Sequence, residues 1–268
     1  MINKLQRDKV SWLLIALMAL VASSIGVARQ GIYRNFRIAS ALPAMLSQDL
    51  IAVSASLAML FLIVRIKEGD LVERLILFGI AGYLFYVYGL YVVGKIYNTL
   101  YLLYMAIFSL SFYSLVFGIA NIGNEASDNI RIPKTVRRVS AVFLFLIPII
   151  FYPLWIVSMW PFIRETRVPE ANSNVYILDM CFLLPVFAMM AVMLLRGSHF
   201  AILLTPALLI KGFTLGLSVA LAEFLKPFYK LTWNAPFALL FGFLTLASLG
   251  LTLLYFKKTS YRDVISRN

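Results

Sequence analysis

The sequence predicts an all-α, polytopic transmembrane bundle of about eight spans, and three observations carry that reading. First, 62% of the 268 residues are apolar and only 13% are charged, whereas roughly a quarter of a soluble domain is charged. Second, the apolar residues fall in long runs without a single charge, at 10–28, 139–162 and 235–256. At a rise of about 1.5 Å per residue, each such run is long enough to cross a hydrocarbon core of about 30 Å. Third, the charged and turn-forming residues gather in short gaps between these runs. The mean hydropathy is accordingly +0.89.

Taken in order, the first predicted span covers 10–28 and follows Lys4, Arg7 and Lys9. A basic start, an apolar run and Gly26-Val27-Ala28 also suit a cleavable leader, which would leave seven helices. The run is longer than a usual leader core, so a retained helix is expected. The second span, 43–66, opens at Pro43, where a missing N–H costs little at a helix start. The turn Lys67-Glu68-Gly69-Asp70 leads into the third, 72–94, and a tight hairpin around Tyr97-Asn98 into the fourth, 100–120. Asn121-Ile122-Gly123-Asn124 and a basic stretch precede the fifth span, 138–160, which contains Pro148 and Pro153. The sixth, 175–195, carries Pro185; Arg196-Gly197-Ser198 then turns the chain into the seventh, 199–222, which carries Pro206. The eighth, 235–256, enters at Pro236. The whole chain reads as one transmembrane domain, with the lipid bilayer as its first partner.

The basic residues predict its direction. With both termini cytoplasmic, fifteen Lys and Arg lie inside and eight outside, Lys211 being the remaining one. Positive charge concentrates on the cytoplasmic side, which favours this arrangement in a cell (inner) membrane. The loop holding Arg29, Arg34 and Arg37 is the segment that opposes it. The net charge of +12 is therefore an orienting feature, and no nucleic-acid partner is expected.

Ionisable groups inside the spans are the most informative residues, because each is costly unless paired or wet. Asp49 lies in the second span, Asp179 in the sixth and Lys211 near the middle of the seventh, with Glu223 at its end. Lys211 is too far from either end to reach water easily, so Asp179 and Asp49 are its candidate partners. Tyr88, Tyr91 and Lys95 follow helical spacing on the third span, and Tyr97, Tyr101 and Tyr104 on the fourth. Together with Asn98 they outline a candidate pocket on the extracytoplasmic side: Asp49, Asp179, Lys211, Asn98, Tyr97, Tyr88, Tyr91 and Glu223. The plainer reading of the tyrosines is an aromatic belt at the membrane interface, since Tyr83 and Tyr86 are expected to point elsewhere. Gly212, Gly216 and Ala220 form a small-xxx-small ladder suited to close helix packing.

Other chemistry is poorly served. A single cysteine, Cys181, excludes an internal disulfide, and a single histidine, His199, excludes a His/Cys metal cluster. There is no phosphate loop and no Ser-His-Asp set, so no catalytic residues are assigned and an enzyme is the less favoured class. The position of Lys211 is similar to the retinal-bearing lysine of microbial rhodopsins. Ala207 stands where their aspartate would be, one turn earlier, and no cofactor is expected.

Several segments together resemble a family of uncharacterised bacterial multi-pass membrane proteins. They are Gln48-Asp49-Leu50, Gly82-Tyr83-Leu84-Phe85-Tyr86, Tyr97-Asn98, Tyr104, Tyr176 to Asp179, Leu184-Pro185 and Leu204 to Gly212. The resemblance implies an integral membrane fold and brings no activity with it. The residues themselves suggest a protein handling a small solute or ion through an outward-facing polar pocket. The alternative is a non-transporting partner or sensor subunit whose intramembrane charges hold helices together.

Overall fold

The computed structural model describes residues 4–33, 41–126, 130–167, 169 and 173–261. Arg34, Arg37, Arg262 and Arg267, which enter the charge argument, lie outside the described residues. The helices are α1 (Lys4–Ala28), α2 (Leu42–Arg65), α3 (Leu71–Val93), α4 (Tyr101–Ala126), α5 (Lys134–Arg164), α6 (Ser173–Leu178), α7 (Leu184–Leu195), α8 (His199–Leu225) and α9 (Ala235–Lys258). Helices α6 and α7 are one span joined by a π turn at Asp179–Leu183. Among the described residues, eight helices are therefore long and apolar enough to cross a membrane. Five of the predicted spans agree with the helices to within three residues at each end; α1 begins six residues before the predicted start, α4 ends six after 120 and α5 runs four beyond 138–160 at each end, because a helix continues through its charged and polar flanks. A 3-10 turn at Gln30–Tyr33 follows α1, and Ile130–Arg131 pairs antiparallel with Ser260–Tyr261.

Helices α3 and α8 form the centre and are mostly buried, whereas α4 and α9 present most of their surface outward. Small residues make that centre possible. At Gly79 of α3, a Cβ would lie 2.6 Å from the Ile210 side chain and 2.9 Å from the Ala207 carbonyl of α8. The predicted ladder on α8 acts in the same way toward α9. A Cβ at Gly216 would meet Thr245 Oγ1 at 2.6 Å, and one at Gly212 would meet Ser248 Oγ at 3.2 Å.

Helix α1 is an integral layer of the bundle. Trp12, Ile15, Ala16, Ala19, Ala22 and Ser23 are fully buried, in contact with α2 and α4. At the basic end of α1, Asp8 and Arg74 form a buried ion pair at 3.3 Å, and Lys9 Nζ donates to the Ile66 carbonyl at 2.7 Å.

Prolines leave carbonyls without their helical N–H donors, and side chains from other helices take them over. Pro206 deprives the Ile202 carbonyl of its partner four residues on, and Tyr255 of α9 donates to that oxygen at 2.7 Å. In the sixth span the Leu184 N–H reaches back five residues to Asp179 O. In that register the donor owed to Met180 is Pro185, which has none. Tyr152 of α5 supplies it at 3.2 Å.

Candidate functional site

Two buried polar clusters flank α3. The first surrounds Asp49, about two turns into α2. Its Oδ2 accepts from the Tyr33 hydroxyl at 2.7 Å, and its Oδ1 from Tyr91 at 3.1 Å. Helix α1 closes the other side with a bare backbone: a Cβ at Gly26 would lie 2.1 Å from Asp49 Oδ2 and 2.7 Å from the Tyr33 oxygen. Burial, and then the neighbouring Asp49 carboxylate, hold the Tyr33 phenol well above its ordinary titration range. The Tyr104 hydroxyl accepts from Asn98 Nδ2 at 3.2 Å. Nearby, Tyr88 donates to the Ala19 carbonyl at 3.0 Å, Tyr83 donates to the Gln48 carbonyl at 3.1 Å, and Ser47 donates to the Ser218 carbonyl. The rings of Tyr33, Tyr88, Tyr91 and Tyr104 pack on one another, with centroids 5.0–6.1 Å apart.

The second cluster centres on Asp179, at the first residue of the π turn. Its Oδ1 accepts from Tyr86 at 2.6 Å and its Oδ2 from the Trp155 indole at 2.8 Å. Beside it, the Lys211 ammonium stands 4.4 Å from the centroid of the Tyr86 ring and 5.8 Å from that of Phe187. It interacts with Asp179 through space but has no hydrogen-bond acceptor among the described residues. Lys211 is 6% exposed, as is Asp179. Leaving all three donors of a buried ammonium unspent is costly, and the aromatic faces recover part of that cost by cation–π attraction, about 1–2 kcal/mol in a desolvated setting.

The predicted site residues thus divide. Asp179 and Lys211 do come together, through Tyr86. Asp49, Tyr91, Tyr88 and Asn98 belong to the other cluster. Glu223 belongs to neither: it accepts from Lys226 Nζ at 2.5 Å and from the Asn234 N–H at 3.2 Å, tying the end of α8 to the start of α9. Tyr97 is exposed and packs at a tilt against Tyr101, with centroids 4.4 Å apart. Lys95 does not share the Tyr88–Tyr91 face, because α3 ends at Val93 and Lys95 turns away with φ 53°. Asn98 holds its hairpin by accepting from the Leu100 N–H at 2.8 Å.

The buried tyrosines of α3 and α4 are not an interfacial belt. Tyr83, Tyr88, Tyr91 and Tyr104 are fully buried, Tyr86 nearly so, and each has a polar partner. Sequence reasoning missed Tyr33, Tyr86, Trp155 and Gly26. A signal existed for Tyr86, which follows Tyr83 by three residues in the uncharged stretch of α3 beyond Arg74 and so needs a buried acceptor. Trp155 carried the same signal in α5. Nothing local marked Tyr33 or Gly26, whose roles depend on how α1 crosses α2. His199 and Cys181 are both exposed, and no group of three His, Cys, Asp or Glu among the described residues has the arrangement of a metal site. No protein-family model, no curated protein and no solved structure matches the chain.

Proposed function

We propose that this multi-pass membrane protein handles a small solute or ion at the Asp179–Tyr86–Lys211 centre, reached from the membrane side nearer Asp49 and Asp179. The observation that carries the reading is the buried Lys211 ammonium, whose three donors meet no acceptor among the described residues. A solute that brings an acceptor group, or water admitted with it, lowers the energy of the site. Helix breaks on both sides support the assignment: the π turn begins at Asp179, and Pro206 lies five residues before Lys211. π turns occur often at functional sites, and interrupted helices near the bilayer midplane are the usual setting of transporter sites. Because the centre is buried in this conformation, access requires helix movement, and the weakened backbone at those breaks is where it is easiest.

A second reading has its own support. Both oxygens of Asp49 and both of Asp179 already accept hydrogen bonds, as expected of devices that dock helices in a partner or sensor subunit. Labelling of Lys211→Cys, in a Cys181→Ser background, by an impermeant maleimide separates the two. In sealed vesicles of each orientation, rapid labelling from one side only is expected. A folded variant that labels from neither side would overturn the solute-handling reading and leave the partner subunit.

A further inference from the structure

We infer, on the basis of the solute-handling reading, that the Asp179–Tyr86–Lys211 centre takes a small monovalent anion on the Lys211 ammonium, and that each anion enters with one proton, which Asp179 accepts. The two charged groups differ in what they lack. Asp179 already accepts from Tyr86 at 2.6 Å and from the Trp155 indole at 2.8 Å, one bond to each oxygen. Lys211 is 6% exposed, yet its ammonium meets no acceptor among the described residues. Tyr86 keeps the two apart, because its hydroxyl holds Asp179 while its ring faces the ammonium, 4.4 Å from the centroid. The centre therefore lacks an acceptor, not a cation. An anionic acceptor forms charge-assisted hydrogen bonds, roughly twice as strong as those to a neutral one.

Size and charge follow from the surroundings. The Tyr86 and Phe187 rings face the ammonium, and a Cβ at Gly82 would stand 3.4 Å from Lys211 Cγ. Rings and backbone thus close in on the lysine, which suits a ligand of few atoms. The groups packed about the pair are Tyr86 of α3, Tyr152 and Trp155 of α5, Tyr176 of α6, Phe187 of α7 and, opposite Gly212, Ser248 of α9. None of these is charged at neutral pH, so Lys211 and Asp179 balance each other. An anion added to Lys211 leaves one buried negative charge in excess, which is costly. A proton on Asp179 removes that excess. A divalent anion would leave an excess even then.

Tyr86 joins the two events. A hydronium ion gives its proton to Asp179 Oδ1, the oxygen that Tyr86 now serves. The new Oδ1–H donates to the Tyr86 oxygen, and the Tyr86 O–H turns toward the anion on Lys211. Trp155 continues to donate to Oδ2. In sum, carboxylate, hydronium and free anion become carboxylic acid, water and an ammonium-bound anion, with no net charge added to the centre.

The test adds sodium nitrate to the purified chain in weakly buffered detergent solution, from neutral to alkaline pH. Infrared difference bands of bound nitrate report occupancy, and a rise in solution pH reports proton uptake. Nitrate is expected to bind saturably with uptake of about one proton per anion, so that its affinity falls about tenfold for each unit rise in pH. Acetamide, a neutral acceptor of similar size, is expected to cause no uptake. Lys211→Met is expected to abolish both signals, and Asp179→Asn to keep the nitrate bands but lose the uptake. Should Asp179→Asn fail to fold, the pH dependence of nitrate binding to the unsubstituted chain decides the same point. Nitrate binding without proton uptake, equal uptake with acetamide, signals that persist in Lys211→Met, or no nitrate binding would each overturn the inference. If nitrate fails while Lys211→Cys still reacts with maleimide, the centre keeps a solute of another class; if both fail, the solute-handling reading falls with the anion.

Discussion

Asp49 and Asp179 are both buried carboxylates, and each accepts two hydrogen bonds from aromatic side chains. Their surroundings nevertheless differ. Around Asp49 the helix is regular, the Gly26 backbone closes the space, and the nearby tyrosines have found acceptors. Around Asp179 the helix is broken by the π turn, and the neighbouring Lys211 ammonium has three unspent donors. Equal satisfaction of the two carboxylates thus conceals an excess of donors at one of them. A saturated network is stable as it stands, whereas a centre with surplus donors gains by accepting something else.

The comparison breaks most severely if Asp179 is removed. Asp179→Ala leaves Tyr86 and Trp155 without an acceptor and Lys211 without its nearby negative charge, and should cost about 3–5 kcal/mol in reversible unfolding from mixed micelles. Adding Lys211→Met to the same chain should restore part of that loss; a purely additive double variant would show that the two residues are uncoupled.

Gly26→Ala tests the closed side of the other cluster. The new methyl displaces the Asp49 carboxylate from Tyr33, and the expected cost is about 1–3 kcal/mol, as for overpacked cores generally. A neutral result would mean that α1 shifts freely against α2, contrary to its buried face.

The smallest effect sharpens the contrast. Lys211→Met removes a charge that has no hydrogen bonds to lose, so stability should change by about 1 kcal/mol or less, in either direction. A loss of several kcal/mol would instead identify Lys211 as a structural counter-ion to Asp179.

Much of this was legible from the chain. Asp49, Asp179 and Lys211 stand out because a charge in an apolar run of spanning length needs a reason, and all three proved buried. The ladder at Gly212 and Gly216 did receive a neighbouring helix. Pro206 did free a carbonyl, although its acquisition by Tyr255 could not be read. Glu223 looked like another member of the polar set, because position along a span says nothing of which neighbour lies opposite. Lys95 was grouped with the tyrosines of α3 and Tyr97 with those of α4 by helical spacing, which has no meaning between Val93, where α3 stops, and Tyr101, where α4 begins.

The sequence by itself therefore determined the eight apolar helices, the turns between them and the position of each buried charge along its helix. These depend on the local balance of apolar runs against charge, glycine and proline, summed over some twenty residues at a time. Only the tertiary structure decided that Tyr33 and Tyr91 serve Asp49, that Tyr86 and Trp155 serve Asp179, and that Lys211 faces aromatic rings without an acceptor among the described residues. Those pairings join residues from 16 to 93 positions apart. They depend on how each helix is rotated about its axis and where it crosses the next, which side-chain packing across the whole bundle sets.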